Sequence, residues 1–351
     1  MKIFSFFKSK TPLCGLDVGS SWVKAVKVSK KGTSASLESF ARVPWTHKDM
    51  ESPAAQGKKI KNLWEHLSLK DKIVISSMAG HSVIVKRVFF NDRPVKELEQ
   101  NIHKEAKQYI PFDLNDVYLD YQVMGKGAKT DTLEVMLVAS KKKVVQELMK
   151  VMEHSGLSLG IVDVDAFALS NCFEFNYPEL SEEPAYLLDI GGRQSIFTIC
   201  WQKQPVFFRE VSFGGRQLTD IIANHMDIGR AEAEKIKLEG PVSEKPDKQS
   251  MIAREMSQAI KSWADEVKRL IGFYQTSVPE SGQAQQFFLS GGGSLFKGIE
   301  NIFQQELGIE TTHLNPWKNI QASLNDFDLK YLDSIKPQFV VATGLALRGI
   351  I

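Results

Sequence analysis

Alternating hydrophobic and polar positions near the start of the chain predict several strands and a helix. The segment PLCGLDV ends at a glycine–serine turn, and SWVKAVKV and SASLESFARV continue the alternation as a second and a third strand. The segment AAQGKKIKNLWEHL has helical spacing, whereas DKIVISSM is a short apolar run typical of a buried strand. The order β-β-β-α-β predicts a mixed sheet crossed by a helix.

A block from about residue 80 to residue 156 has a pattern of its own. Three alternating segments predict strands, and two segments with helical spacing predict helices, the second of which has Gly156 as its C-cap. The order β-α-β-β-α predicts a small α+β subdomain inserted into the first lobe. The five segments are SVIVKRVFF, RPVKELEQNIHKEAKQY, DVYLDYQVM, DTLEVMLVAS and KKVVQELMKVMEHSG.

The opening pattern returns near residue 185. The segment AYLLDIGGRQSIFTICW again joins an apolar strand, an aspartate, two glycines and a second strand, and PVFFREVSF follows as a third. Aligning Asp17 with Asp189 gives two copies of a β-β-β unit, each with an acidic residue at its first turn. Helices follow, the longest being MIAREMSQAIKSWADEVKRLIGFYQ after the charged loop EKPDKQ.

These patterns predict an α/β chain of two lobes, each with a mixed β-sheet flanked by helices. The proline-bearing segment YPELSEEP marks the boundary, and the apolar closing helix PQFVVATGLALRGI is expected to pack back onto the first lobe. The predicted parts are a flexible N-terminal tail (1–10), lobe I (11–180, with 336–351 packed on it), the inserted subdomain (about 80–156), lobe II (183–335) and its helical subdomain (about 223–284).

Composition narrows the functional classes. Hydrophobic residues make up 43% and charged residues 25%, which is a soluble globular balance, and a net charge of +2 gives no sign of nucleic-acid binding. The cysteines Cys14, Cys172 and Cys200 are far apart and predict reduced thiols, not a disulfide framework or a zinc site. No apolar run approaches the roughly 20 residues of a membrane-spanning helix.

The first candidate for chemistry is the turn that contains Gly19, Ser20 and Ser21. Small residues let backbone N–H groups approach a phosphate chain, and serine adds a hydroxyl donor. Asp17 is suited to hold Mg²⁺, usually through water, and Lys24 on the next strand adds a positive charge over the phosphates. The alternative is a surface hairpin with an ordinary Asp–Gly turn.

Four further motifs carry glycines or paired charges. Asp189, Gly191 and Gly192 repeat the first turn, and Gly214 with Gly215 offers another turn on the phosphate side. The loop Gly291, Gly292 and Gly293 lets backbone lie flat against a purine, or only meets a need for positive φ. Glu234 and Lys237, three residues apart on a helix, are placed to bind ribose hydroxyls or to form a solvated ion pair.

The order of these motifs resembles the superfamily of actin, the heat-shock protein 70 ATPases and hexokinase. Within it the chain resembles the PilM family of type IV pilus assembly proteins, which are relatives of the cell-division protein FtsA. The most discriminating segment is YIPFDLNDVYLDYQV. The other segments that carry the resemblance are GLDVGSSWVKAVKV, LDIGGRQSIFTI, FREVSFGGRQLT, AEAEKIK, FLSGGGSLFKGI, LNPW and ATGLALR.

The resemblance implies an actin-like ATPase fold with an FtsA-like inserted α+β subdomain, and ATP or ADP with Mg²⁺ in the cleft between the lobes. It implies metal binding at Asp17 and nucleotide binding at the other motif residues. These are Gly19, Ser20, Ser21 and Lys24 at the phosphates; Asp189, Gly191, Gly192, Gly214 and Gly215 flanking them; Glu234 and Lys237 at the ribose and base; and Gly291, Gly292 and Gly293 at the adenosine.

The resemblance also implies partners. Such proteins bind the N-terminal cytoplasmic peptide of PilN, an inner-membrane pilus protein, in a groove of lobe I and the inserted subdomain. They join a ring that is linked to the pilus motor ATPases, so the implied location is cytoplasmic and peripheral to the inner membrane through a partner. We expect Tyr109, Phe112 and Tyr118 to lie at the peptide groove, the alternative being that these aromatic residues are core.

Some features depart from the resemblance. Arg193 stands in the second turn where small residues are usual, and is expected either to pair with phosphate or to face solvent. The connecting helix offers Asp163 and Asp165 but no glutamine or glutamate to orient water, which leaves Asp17 and Asp165 as candidates for a catalytic carboxylate and turnover open. No amphipathic helix follows the last apolar segment, which disfavours direct membrane anchoring.

Three other functions remain as alternatives. An FtsA-like filament former would sediment in the presence of ATP. A slow kinase of the same superfamily would need a carboxylate aimed at a substrate hydroxyl, and the length of 351 residues and the insertion argue against it. A degenerate relative with an empty cleft, like the secretion protein GspL, is disfavoured because all the nucleotide motifs are present.

Overall fold

The computed structural model describes residues 14–32, 34–80, 83–92, 95–127, 131–180, 182–239, 246–322 and 327–350, and the predicted tail at residues 1–10 lies outside this part of the chain. The chain forms two compact units. Of the described residues, the smaller unit contains Cys14 and those within Trp45–Val164, and the larger unit contains those within Gly15–Pro44 and Asp165–Ile351. Among the described residues, no helix has both the length and the apolar character that crossing a bilayer requires.

Both units contain strands and helices. The strands are β1 (Cys14–Val18), β2 (Trp22–Lys31), β3 (Ser34–Pro44), β4 (Ile73–Met78), β5 (Val83–Asn91), β6 (Val117–Lys126), β7 (Thr132–Lys141), β8 (Ser158–Val164), β9 (Ala185–Ile190), β10 (Ser195–Trp201), β11 (Gln204–Val211), β12 (Gln286–Ser290), β13 (Glu310–His313) and β14 (Ile320–Gln321). The helices are α1 (Pro53–His66), α2 (Val95–Ala106), α3 (Lys142–Ser155), α4 (Asp165–Asn176), α5 (Gly215–Met226), α6 (Arg230–Glu239), α7 (Pro246–Ser277), α8 (Ile299–Leu307), α9 (Leu329–Ile335) and α10 (Val340–Leu347).

The smaller unit is built around an antiparallel sheet of order β5-β7-β6. Its core includes Phe90 from β5, Leu98 from α2 and Leu137 from β7, all buried. Elsewhere in this unit β4 and β8 pair in parallel, and α3 ends at Gly156, whose φ of 71° is the left-handed cap that glycine adopts without strain. The predicted α+β subdomain is therefore a sheet with its own core.

The larger unit contains the predicted repeat. In the first copy β2 is antiparallel to both β1 and β3, and in the second copy β10 is antiparallel to both β9 and β11. Asp17 is the next-to-last residue of β1, and Asp189 is the next-to-last residue of β9. Equal strand positions give the two aspartates equivalent places at the turns that follow.

Helices and parallel strands complete the second sheet, whose order is β11-β10-β9-β12-β13. Its apolar face is covered by α7, whose helical spacing predicts an apolar stripe that also includes the partly buried Leu270. The buried members of this stripe are Ile252, Met256, Ile260, Trp263, Val267 and Tyr274.

One local prediction differs from the structure, and two short elements were not predicted. The segment EKPDKQ is not a loop throughout, because α7 begins at Pro246, and proline is well tolerated in a first helical turn. Neither the two-residue strand β14 nor α9 follows from the sequence pattern, since each is too short to show a period. The predicted lobe boundaries stay predictions.

All three cysteines are free and buried, as their spacing predicts. Burial raises the pKa of both Cys172 and Cys200 well above its ordinary value. The thiols therefore stay protonated at neutral pH.

Candidate functional site

The first turn is closed by an ion pair between neighbouring strands. Asp17 on β1 lies directly opposite Lys24 on β2, and Lys24 Nζ donates a hydrogen bond to the Asp17 carboxylate. The Gly19 N–H donates to the Trp22 carbonyl at 3.0 Å, which fixes the turn. A methyl group at Gly19 would lie 3.0 Å from the Trp22 carbonyl oxygen and in ordinary van der Waals contact with Lys24 Nζ, so the turn lies directly beside the pair.

The second turn repeats the arrangement with a different partner. Asp189 on β9 accepts a hydrogen bond from Ser290 Oγ of the parallel strand β12, at 2.9 Å. The Gly191 N–H donates to the Gln194 carbonyl at 3.1 Å and closes the turn. Sequence spacing gives no sign of the Ser290 contact, because the two residues are 101 positions apart.

The structure brings the two turns into contact. A methyl group at Gly192 would lie 2.2 Å from Ser21 Oγ and 2.9 Å from Ser20 Oγ, so only glycine leaves both hydroxyls in place. The small residues of the two β-β-β units therefore meet at one point, with a carboxylate on the strand before each turn.

Charge at this point is concentrated around Lys24. Burial lowers the pKa of Lys24, but Asp17, Asp189 and Asp165 together outweigh it, so its pKa is raised. Asp165, at the start of α4, thus belongs to the same electrostatic cluster. Three carboxylates around one ammonium leave this side of the site with an excess of negative charge.

The surroundings of Asp189 favour the protonated form of its carboxyl group. Burial raises the pKa of Asp189 from its ordinary value of 3.8 to about 6, and Asp17 adds to the shift while Lys24 and the Ser290 hydrogen bond oppose it. A second cation near this carboxylate would stabilise its ionised form and lower its pKa.

The raised pKa of Asp189 predicts a pH-dependent stability for the ligand-free chain. The folded chain keeps this proton up to about pH 6 and the unfolded chain releases it near pH 3.8, so the folded state loses stability as the pH rises between these values. Relative to Asp189→Asn, the wild-type free energy of unfolding should fall by about 2 kcal/mol from pH 4 to pH 7. Urea unfolding of both chains across this range measures it, and a difference that stays constant with pH would contradict the expectation.

Glycines also bring the start of α5 against the second turn. The N–H groups of Gly215 and Arg216, at the start of α5, donate to the carbonyls of Gly191 and Gly192 at 2.9 and 2.8 Å. A methyl group at Gly214 would lie 2.8 Å from both of those carbonyl oxygens. The backbone of α5 is therefore packed directly on the second turn.

The triple-glycine loop has two different reasons for its glycines. Gly291 has a φ of 82°, which glycine adopts most easily, whereas a methyl group at Gly293 would lie 2.4 Å from Ile190 Cγ2. The Gly291 N–H donates to the Pro337 carbonyl at 2.8 Å. This loop thus needs glycine because it packs closely on the end of β9, and not only because of a positive φ.

The pair on α6 is not a solvated ion pair. Lys237 is buried, and its Nζ donates to Glu234 Oε2 at 2.7 Å, to Thr219 Oγ1 at 3.0 Å and to the Gly215 carbonyl at 3.1 Å. The bonds to Thr219 and Gly215 thus hold α6 against α5, the third bond lies within α6, and the Glu234 side chain is 40% exposed. The role of this pair at a ribose stays a prediction.

The aromatic residues predicted for a peptide groove lie in the smaller unit. Each is partly buried, and Tyr109 contacts Phe90 edge-on at 6.1 Å between ring centroids. Lys141 Nζ lies 4.4 Å from the Phe112 ring centroid, and Lys142 Nζ lies 5.7 Å from that of Tyr118. Tyr109 and Phe112 pack against the subdomain core, so they have a structural role whether or not they touch a partner.

The carboxylates suit a magnesium ion shared with a ligand. Among the described residues, no cluster of three or more histidine, cysteine, aspartate or glutamate side chains could enclose a metal. Mg²⁺ is usually held by one or two carboxylates together with phosphate oxygens and water. Asp17 and Asp189 match that requirement, and Asp189 gains from a nearby cation.

Comparison with known proteins gives one family and one architecture. A family model described as type IV pilus assembly protein PilM matches residues 15–350. A chain of the solved PilM–PilN type IV pilus biogenesis complex is 25% identical with a TM-score of 0.83, over 98% of this chain and 100% of that one.

Two more distant structures share the fold. The ethanolamine utilization protein EutJ from Carboxydothermus hydrogenoformans is 14% identical with a TM-score of 0.55, over 96% of this chain and 91% of its own. MreB5 of Spiroplasma citri bound to ADP is 13% identical with a TM-score of 0.52, over 97% and 96%. The matches confirm the actin-like α/β fold that the sequence predicts.

Proposed function

Because the chain belongs to the family of the type IV pilus assembly protein PilM, we propose that it is a nucleotide-binding scaffold of a pilus assembly platform. The observation that carries the proposal is the meeting of two glycine turns, each preceded by an aspartate at the end of a strand. A similar fold holds ADP in the MreB5 structure. The ligand that suits this chain is ATP or ADP with Mg²⁺.

The residues around the two turns have different proposed roles in binding the nucleotide. Backbone N–H groups and the hydroxyls of Ser20 and Ser21 face the phosphate chain, which small residues allow to approach closely. Asp17 and Asp189 hold Mg²⁺, directly or through water, and the ion offsets the phosphate charge. Lys24 balances the carboxylates and adds positive charge beside the phosphates.

The nucleoside end is proposed to lie toward the triple-glycine loop. Gly291, Gly292 and Gly293 present bare backbone to the adenosine, and the partly exposed Glu234 is placed to accept a ribose hydroxyl hydrogen bond. Lys237 supports Glu234 through their 2.7 Å contact. Any hydrolysis is proposed to be slow, with Asp17 and Asp165 as the carboxylates available to it.

Calorimetric titration of the purified chain with ATP and with ADP tests nucleotide binding. Saturable binding that weakens when EDTA removes Mg²⁺ is the expected result. Absence of binding with both nucleotides would contradict the proposal. Sedimentation in the same solutions distinguishes a scaffold from an ATP-dependent filament, which would pellet.

The proposed partner is PilN, since the solved complex that this chain resembles contains PilM and PilN. We place its N-terminal peptide beside the aromatic residues Tyr109, Phe112 and Tyr118 of the smaller unit. Binding to PilN would hold the chain at the cytoplasmic face of the inner membrane, and pilus motor ATPases and a ring of copies are further proposed partners. Lys141 and Lys142 beside these rings favour a peptide that carries carboxylates.

Replacing Tyr118 by alanine is expected to weaken binding of a synthetic PilN N-terminal peptide by about tenfold or more, because a partly buried tyrosine is a common interface anchor. Fluorescence anisotropy of a labelled peptide measures the change. Phe89→Ala is the matched control, since Phe89 lies on β5 at the other edge of the same sheet and is 52% exposed. Equal effects of the two substitutions, with unchanged unfolding temperatures, would exclude Tyr118 from the groove.

A further inference from the structure

Two arginines lie beside the second glycine turn without a carboxylate of their own. Arg193 directly follows Gly192, and Arg216 is the second residue of α5, where its N–H donates to the Gly192 carbonyl at 2.8 Å. With Gly192, Gly214 and Asp220, among others, they line an open groove of about 510 Å³. Arg193 is exposed and Arg216 partly buried, so a ligand in the groove has access to both guanidinium groups.

The carboxylates near these arginines are already paired with other cations. Asp220 accepts from Arg230 at 2.6 Å, and Glu234 accepts from Lys237 at 2.7 Å. Among the described residues, no salt bridge reaches Arg193 or Arg216. Two guanidinium charges are therefore left over on this side of the turn.

The two arginines also repel each other. Burial lowers the pKa of Arg216, and the charges of Arg193 and Arg230 lower it further, against the opposing effect of Asp220 and Glu234. Like charges that share one groove destabilise the ligand-free chain through their repulsion. An anion bound between them would offset this repulsion.

The turn thus separates two opposite charge excesses. Asp17 and Asp189 stand on the strands before the glycines, and Arg193 and Arg216 stand directly after them. A magnesium ion suits the first side, and a phosphate group suits the second, because guanidinium binds phosphate through paired hydrogen bonds.

We propose that Arg193 and Arg216 bind the terminal phosphate of a nucleoside triphosphate and so make the site distinguish a triphosphate from a diphosphate. The inference rests on the proposed nucleotide binding and adds a specificity-determining role to it. A terminal phosphate carries close to two negative charges at neutral pH, which matches the two guanidinium charges. Gly192 also lines the groove, so these charges lie next to the turn that is proposed to bind the phosphate chain.

The test compares AMPPNP, a triphosphate analogue that resists hydrolysis, with ADP by calorimetry at constant Mg²⁺. Arg193→Gln and Arg216→Gln should each weaken AMPPNP binding by about tenfold or more, since a hydrogen bond to a charged group is lost, and change ADP binding less than about twofold. Arg209→Gln is the matched control, because Arg209 lies on β11 with its guanidinium 4.8 Å from the Phe207 ring and outside the groove. Unfolding temperatures of the variants confirm that they fold.

Each other outcome has a distinct meaning. Equal losses for AMPPNP and ADP, or no loss for either, would overturn the role of the arginines while nucleotide binding by the wild type stands. Equal affinity of the wild type for the two ligands would also overturn it. A wild-type chain that binds neither ligand would overturn the proposed function itself and this inference with it.

Discussion

Replacing Gly344 by alanine is expected to destabilise the folded chain by about 3 kcal/mol. In the larger unit α10 packs on α4, and a methyl group at Gly344 would lie 1.8 Å from the Ala168 carbonyl oxygen and 2.6 Å from its carbonyl carbon. Both are backbone atoms, so no side chain can rotate away and the two helices must separate. The buried apolar surface of α10 would then lose contacts along its length.

Urea unfolding followed by circular dichroism measures this effect. Gly272→Ala in α7 is the matched control, because a methyl group there has no atom within 4 Å. The control should gain about 0.5–1 kcal/mol from helix propensity alone. Equal unfolding midpoints for the two variants would show that α4 and α10 tolerate a wider spacing.

Replacing Asp17 by alanine is expected to weaken Mg²⁺-dependent ATP binding by about 10- to 100-fold. The proposed metal would lose the carboxylate that Lys24 holds in place through their ion pair. Lys24 would retain the nearby charges of Asp189 and Asp165, so the fold should persist. The loss should therefore appear in affinity and not in stability.

Calorimetry with and without EDTA separates the metal from the nucleotide. Wild-type affinity should fall when Mg²⁺ is removed, whereas the affinity of Asp17→Ala should be nearly insensitive to EDTA. Unchanged affinity of the variant in Mg²⁺ would sink the metal role of Asp17.

The hydrophobic pattern of the sequence was sufficient to predict the architecture and the positions of the two aspartates. The apolar run before each glycine turn marks where β1 and β9 end, so it also places Asp17 and Asp189 at equivalent positions before their turns. The stripe of α7 follows in the same way from its helical spacing. By contrast, β14 has two residues and its pairing with β3 depends on tertiary packing.

Contacts between distant segments could not be predicted. Ser290 meets Asp189 only because β12 pairs in parallel with β9, and Lys237 is buried only because α6 packs on Thr219 of α5. The need for glycine at position 293 likewise comes from Ile190 and not from its own backbone angle. Local patterns specify elements, whereas these side-chain partners depend on which elements become neighbours.

The three buried cysteines make the chain a convenient background for site-specific labelling. Cys14, Cys172 and Cys200 are all enclosed, and the thiolate, not the protonated thiol, reacts with maleimides. A cysteine introduced at Ser212, which is exposed at the rim of the groove beside Arg216, would therefore be modified in preference to the native thiols. A fluorophore attached there would report directly on the occupancy of the groove.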